Sequence, residues 1–278
     1  MNTHTNLLKS PLVIGTTWML PEEIRSALFL AGQKKDIELR ILEMSGSEDL
    51  AKVDAFLSPG GHDIDPKYFT EELNEQLALE LMDLHRKFGN KGKVESHFES
   101  RDKLEFSIME AYFKSDLKTL PFLGICYGMQ VLAVASGLPL IVDLQAQLGI
   151  PARQGVEDQI HFLRLSVASD SESESESELD SASASELEKI MGVSSFLGPK
   201  RHHQVADIAF AQQYHRKTLQ ILAVSNDGQI PEIIVRSDRP SMGIQYHAES
   251  SADLSVRLAP FLWLLEKARD HRLQNQSS

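Results

Sequence analysis

The chain is predicted to be an α/β protein: a mostly parallel sheet with helices on both faces. Three observations carry this. Short β-branched, apolar runs alternate with helix-length amphipathic segments from Leu12 onward, a strand–helix–strand rhythm. The stretch from Thr119 to Val142 carries no charge yet is broken by Pro121, Gly124, Gly128, Gly137 and Pro139 at strand–turn–helix–strand spacing. Its length would also span a bilayer, but the punctuation fits a buried α/β core better. Finally, 278 residues with 42% hydrophobic and 24% charged content suit one large globular domain.

Leu12 to Thr17 reads as the first strand. Pro21 with Glu22 and Glu23 opens a helix, Ile24, Leu28 and Ala31 mark its apolar face, and Gly32 can close it. Ile37 to Leu42 and Val53 to Ser58 are further strands, the latter ending in Pro59-Gly60-Gly61. That turn is either a plain connection or a place where backbone N–H groups point into a site, which glycine permits by allowing close approach. Glu71 to Phe88 has Leu73, Leu77, Leu81, Leu84 and Phe88 on one helical face, facing the core or lining a substrate entrance, with a loop from Gly89 to Gly92 after it. Ser100 can cap the next helix with Asp102 in its first turn, and Leu104, Ile108, Ala111 and Tyr112 form its buried side.

Phe122 to Ile125 is a buried strand, Met129 to Ala135 a helix, and Leu138 to Asp143 another strand. Gln145 to Gln159 is polar and broken, and is expected to be loop; His161 to Val167 alternates like an edge strand. The Ser/Glu tract at about 169–186 offers almost no apolar side chains to offset ordering entropy and is expected to be a disordered, inert insertion rather than a phosphorylated or partner-binding segment. Leu187 to Gly192 is a helical turn. Leu219 to Val224, Ile233 to Arg236 and Met242 to Tyr246 are strands, with Asn226-Asp-Gly228 turning between the first two, and Leu258 to Arg272 is a final packing helix.

Asp170 to Glu188 holds eight acidic residues and no basic one, and without them the net charge of −12 falls to −4. Such a body has no electrostatic footprint for nucleic acid. The single cysteine excludes an intrachain disulfide and argues for a reducing compartment. With no basic-then-apolar start at Met1 to Ser10, a cytoplasmic location is expected, with no membrane association.

That cysteine lies in Gly124-Ile-Cys126-Tyr-Gly128, between a buried strand and a helix, which is the thiol form of a nucleophile elbow. The elbow would hold the sulfur at the carboxyl edge of the sheet and at a helix N-terminus, where dipole and free N–H groups favour thiolate. A lone cysteine is more often a small buried hydrophobe, so the pentapeptide alone leaves both readings open. The second chemical stretch is Gly243 to Glu249. In an extended chain Gln245, His247 and Glu249 share one face, so His247 could take a thiol proton while Glu249 fixes its tautomer. His202 and His203 suggest a metal, but no further Cys/His spacing completes a site, and zinc is rejected.

Pro59-Gly60-Gly61-His-Asp63-Ile-Asp65-Pro66, Arg101-Asp102-Lys-Leu-Glu105, the Cys126 elbow with Gln130, His202-His203-Gln204 and Gly243 to Glu249 occur in that order. The set resembles class I glutamine amidotransferase-like proteins, and within them looks most like the stand-alone γ-glutamyl-γ-aminobutyrate hydrolase type, over roughly Leu12 to Leu265. The resemblance implies a flavodoxin-like three-layer sandwich. It implies Cys126 as nucleophile, His247 as general base and then acid, and Glu249 as orienting residue. It implies an oxyanion hole from the N–H groups of Tyr127 and of Gly60 or Gly61. Gln130 would help hold the glutamyl portion, with His202, His203 and Gln204 at the pocket rim. The substrate would be a small γ-glutamyl compound, no metal or organic cofactor is required, and a homodimer is left open. Four positions depart from the pattern: Tyr127 stands where Arg is usual, Ala248 where Pro is usual, and Leu138-Pro139 where Gly and Thr are common. A glutaminase subunit serving a separate synthase, and a catalytically silent binding protein on the same scaffold, are the alternatives.

Overall fold

The structure, a computed structural model, describes residues 10–70, 73–89, 95–151, 153–163, 187–189, 191–210 and 218–276. The expected loop tip at 90–92 and the Ser/Glu tract at 169–186 lie outside the described residues. Eleven strands are present among the described residues: β1 (Leu12–Thr16), β2 (Leu39–Glu43), β3 (Ala55–Ser58), β4 (Phe122–Ile125), β5 (Leu140–Ile141), β6 (Arg153–Phe162), β7 (Ser195–His202), β8 (Val205–Ala206), β9 (Leu219–Ser225), β10 (Pro231–Arg236) and β11 (Ser241–Ile244). Nine form one sheet in the order β2-β1-β3-β4-β11-β10-β9-β6-β7, while β5 pairs with β8 in a separate ribbon. From β2 to β11 the pairing is parallel, and from β11 to β7 it is antiparallel. The sandwich is therefore a parallel half extended by an antiparallel half.

Helices α1 (Glu22–Lys34), α2 (Glu75–Phe88), α3 (Glu95–Lys114), α4 (Tyr127–Ala135), α5 (Leu144–Leu148) and α6 (Leu254–Gln276) complete the frame. The period-two side-chain alternation of the strands builds two cores. Ala55, Leu57, Leu123 and Ile125 face Ile24, Ala27 and Leu28 of α1 and Phe261, Leu264 and Leu265 of α6. Phe56 and Phe122, one register step away, face Ile108 and Tyr112 of α3 and Val131 and Leu132 of α4. Helices thus lie on both faces, as the sequence predicts. The uncharged Thr119 to Val142 stretch is β4, α4 and β5, and no described helix is long and apolar enough to cross a membrane.

Several expectations are corrected. Gly32 does not close α1; it is buried within the helix, where a Cβ would meet the Leu39 side chain at 2.9 Å. Ser100 does not cap α3, which already runs from Glu95; Asp102, expected in a first turn, lies inside the helix and pairs with His62 and Tyr127. The stretch taken as loop, Gln145 to Gln159, contains α5 and most of β6. Asp143 caps α5 by accepting from the Ala146 N–H, and Gly149 ends it in the left-handed region. β6 does not alternate regularly: Gly155, Val156 and Glu157 are exposed in succession, next to a register shift against β7. Of the expected edge strand His161 to Val167, His161 and Phe162 end β6, which β9 and β7 flank, and 164–167 lie outside the described residues. α2 presents Leu81 to the core, whereas Phe88 is exposed.

Candidate active site

Register brings three chain segments to one edge. Ser58 of β3 lies opposite Gly124 of β4, and Ile125 of β4 lies opposite Ile244 of β11. All three strands run parallel, so the residues just past their carboxyl ends emerge side by side: Pro59-Gly60-Gly61, Cys126 and Gln245 to His247. This is where open α/β sheets place their sites.

Cys126 sits at the N-cap of α4 with φ 51° and ψ −100°, a region that a non-glycine residue occupies only when its surroundings force it. The forcing contacts are visible. A Cβ on Gly124 would lie 2.3 Å from the Gly128 carbonyl oxygen, and one on Gly128 would lie 2.2 Å from the Ser58 carbonyl oxygen. The strand, the turn and the helix are in backbone contact, and only glycine fits between them. The Cys126 N–H donates to the Ile244 carbonyl at 2.7 Å, tying the elbow to β11. The sulfur, in a residue only 6% exposed, accepts from Gln245 Nε2 at 3.5 Å, and His247 lies beside it.

His247 Nδ1 pairs with Glu249 Oε1 at 2.7 Å. The pair is not assembled by strand alternation, as the sequence suggested. β11 ends at Ile244, and Glu249 lies in a 3₁₀ turn over Ala248–Ser250 that swings its carboxylate back to the imidazole. The His247 N–H is fixed by the Pro199 carbonyl of β7 at 2.8 Å, so the antiparallel half also supports the site. Burial works to lower the His247 pKa, but hydrogen bonds and charge from Cys126 and Glu249 outweigh it and hold the imidazolium up to about 10.

Gly60 faces this pair: a Cβ there would come 3.1 Å from His247 Cε1 and 3.8 Å from the Cys126 Cβ. Behind the loop stands Arg101, whose guanidinium donates to the Pro59 carbonyl at 2.6 Å, the Gly60 carbonyl at 3.1 Å and Glu105 Oε1 at 3.2 Å. Glu105 also accepts from Thr17 Oγ1 at 2.6 Å. The Tyr127 ring lies 4.0 Å beneath the guanidinium carbon, and its hydroxyl donates to Asp102 Oδ1 at 2.7 Å. Burial pushes that phenol well above its ordinary pKa, so it stays a neutral donor. Asp102 also pairs with His62 Nε2 at 2.8 Å. Tyr127, the departure noted in the sequence, is thus the floor of this network.

The remaining sequence-assigned residues lie in the interior next to this network. His202, His203 and Gln204 are all buried, and so is Gln130. Gln204 Oε1 accepts from the Ile64 N–H at 2.9 Å, which ties its loop to the Gly60–Gly61 loop. Gln130 Nε2 donates to the Gln204 carbonyl at 2.7 Å and to Gln245 Oε1 at 3.3 Å. His203 bridges Asp63, at 3.0 Å, and Asp143, at 3.1 Å; the Asp63 hydrogen bond leads in raising its pKa. These side chains join loops to one another. The sequence also gave no task to Arg101, Gln245 or Asp143; the Arg-Asp-x-x-Glu spacing was the available signal for the first.

A parallel sheet edge carrying a cysteine on a strained strand-to-helix turn, beside a histidine–carboxylate pair, defines a class I glutamine amidotransferase-like protein. The family model described as Peptidase C26 matches residues 83–249, which include Cys126, His247 and Glu249, and the chain belongs to that family. It is 28% identical over 207 residues, 73% of this chain and 53% of the relative, to a protein of Mycobacterium tuberculosis (strain ATCC 25618 / H37Rv) provisionally named a glutamine amidotransferase. It is 27% identical over 188 residues to a CTP synthase of Pelagibacter ubique (strain HTCC1062), covering 59% of this chain and 33% of the synthase. The chain therefore spans a third to about half of these relatives' length. The glutaminase domain of Trypanosoma brucei CTPS, solved with bound acivicin, has the same fold, with TM-score 0.61 and 13% identity over 94% of each chain.

Proposed function

We propose that the protein hydrolyses the γ-glutamyl amide bond of a small γ-glutamyl compound through a thioester on Cys126. The observation that carries this is the strained elbow at Cys126 with the His247–Glu249 pair held against its sulfur. The Cys126 sulfur attacks the γ-carbonyl carbon, and the carbonyl oxygen takes the negative charge. The N–H groups of Tyr127 and of Gly60 or Gly61 receive that charge; each such donor is typically worth about 3–4 kcal/mol in the transition state. As the C–N bond breaks, His247 delivers its proton to the leaving amine, with Glu249 stabilising the imidazolium. Water, activated by the now neutral His247, then cleaves the thioester, releasing glutamate and restoring the thiol. Gln130, His202, His203 and Gln204 shape the glutamyl pocket by holding its loops.

A panel of γ-glutamyl amines and glutamine, scored for glutamate release with wild type and Cys126→Ala, tests this. Wild type should release glutamate from at least one member, and the variant should lose on the order of 10⁴-fold or more. Release that persists unchanged in Cys126→Ala removes the mechanism, and no release from any member favours a silent scaffold. The similarity to CTP synthases supports a second reading, a glutaminase whose ammonia feeds a separate synthase. Under it, glutamine would be the preferred substrate and turnover would rise when the partner is added.

A further inference from the structure

We propose that Arg101 is a positioning residue that sets both peptide planes of the oxyanion loop, so that the hole is already built in the isolated chain. The inference rests on the hydrolase reading above and assigns a task to a residue that reading does not use.

Two adjacent glycines give this loop wide conformational freedom, and a peptide plane between them can turn over at little cost. Turning it would present a carbonyl oxygen, rather than an N–H, to a developing oxyanion. Arg101 prevents this by donating to both carbonyls, Nη2 to Pro59 and Nη1 to Gly60. In a planar trans peptide the N–H points opposite to the C=O. Fixing the Pro59 and Gly60 carbonyls on the guanidinium therefore aims the N–H groups of Gly60 and Gly61 away from it. Neither N–H has an acceptor among the described residues. Gly60 itself abuts His247 and Cys126.

The same guanidinium lies on the ring of Tyr127, whose N–H opens α4 and is the other donor. One side chain thus registers both donors of the hole. It is itself locked: it is 2% exposed, and Glu105, which also accepts from Thr17, holds its Nε. A fork is required, because lysine could satisfy one carbonyl as a point charge but not two with fixed geometry. Gly61 lets the fork approach, since a Cβ there would lie 2.1 Å from Arg101 Nη1.

The test compares full-length wild type, Arg101→Lys and Gly61→Ala, the second of which displaces the fork while leaving the arginine in place. Three readouts are taken: kcat and KM for glutamate release from γ-glutamyl-p-nitroanilide, the rate of Cys126 alkylation by iodoacetamide, and the melting temperature. Alkylation needs the sulfur and His247 but develops no oxyanion, so it separates the hole from the nucleophile. Both variants should lose about 10- to 100-fold in kcat, with KM and the alkylation rate within about threefold of wild type. An Arg101→Lys protein with wild-type kcat overturns the proposal. So does a loss of alkylation parallel to the loss of kcat, which would place Arg101 behind the nucleophile instead. A wild type with no Cys126-dependent release overturns the hydrolase reading and this inference with it; that outcome is recognised because it precedes any comparison of variants.

Discussion

At Cys126 the sulfur is placed by backbone packed on backbone, whereas across the cleft the Gly60–Gly61 loop is placed by side chains. Around the elbow, carbonyl oxygens of Ser58 and Gly128 stand where any Cβ would have to go. Around the loop, Arg101, Gln204 and Asp102 hold it through hydrogen bonds to Pro59, Gly60, Ile64 and Asp65. The first kind of restraint has almost no graded response, because a substitution either fits or forces strand and helix apart. The second can be removed one bond at a time, each worth about 0.5–1.5 kcal/mol, or 1.5–3 when charged. Under the proposed mechanism the covalent step would fall to the stiff half of the site, and the Gly60–Gly61 donors to the adjustable half.

Gly128→Ala is the most direct way to break the contrast from the stiff side. The new methyl would sit 2.2 Å from the Ser58 carbonyl oxygen, a backbone atom that cannot move without shifting β3. The expected outcome is a loss of about 3 kcal/mol or more in urea unfolding, with activity abolished. A variant that melts like wild type would show that the elbow has slack.

Glu249→Gln probes the junction of the two halves. It keeps the shape of the side chain but removes the charge that supports His247 from 2.7 Å. Turnover should fall on the order of 10²- to 10³-fold, and the melting temperature at neutral pH by a few degrees, because part of the support for the His247 proton is lost while the 3₁₀ turn keeps backbone bonds such as Ser250 N–H to the His247 carbonyl at 3.0 Å. A drop below threefold would remove Glu249 from the mechanism.

The pH dependence follows from the same pair. Folding raises the His247 pKa from an ordinary 6.5 to about 10. The folded state therefore binds a proton that the unfolded state releases between those values. This stabilisation is complete below about pH 6.5 and is lost as pH rises through about 10. Melting curves of wild type and His247→Ala should converge over that window, wild type falling by a few degrees more. Parallel curves would mean that the imidazole gains no proton on folding.

What could be read from the sequence divides along the same line. The elbow announces itself because backbone packing demands glycine at fixed offsets, and the parallel half because both-face burial demands uninterrupted apolar runs such as Phe122 to Ile125. The adjustable half leaves no such trace. Arg101 reaches Gly60 from 41 positions away, and His203 reaches Asp63 from 140, contacts that no local pattern encodes. β7 is hidden for a related reason: Lys200, fully buried in the strand, is paired with Glu232 and Asp158, partners that lie 32 and 42 positions away. Glu249 was placed in the right company for the wrong reason, since a turn and not a strand brings it to His247.

Tyr127→Phe separates the two kinds of restraint within one residue. The backbone of Tyr127 belongs to the elbow, while its ring and hydroxyl belong to the side-chain network. Removing the hydroxyl deletes the 2.7 Å bond to Asp102 Oδ1 but leaves the N–H at the start of α4 and the ring under Arg101. Asp102 keeps His62, and the phenylalanine face carries a similar quadrupole, so the stacking on the guanidinium should survive. The cost is then one buried hydrogen bond to a charged acceptor, about 1.5–3 kcal/mol of stability, with kcat within about threefold of wild type. If kcat instead falls as far as in Arg101→Lys, the hydroxyl must help to aim the oxyanion donors, and the elbow would depend on side chains after all.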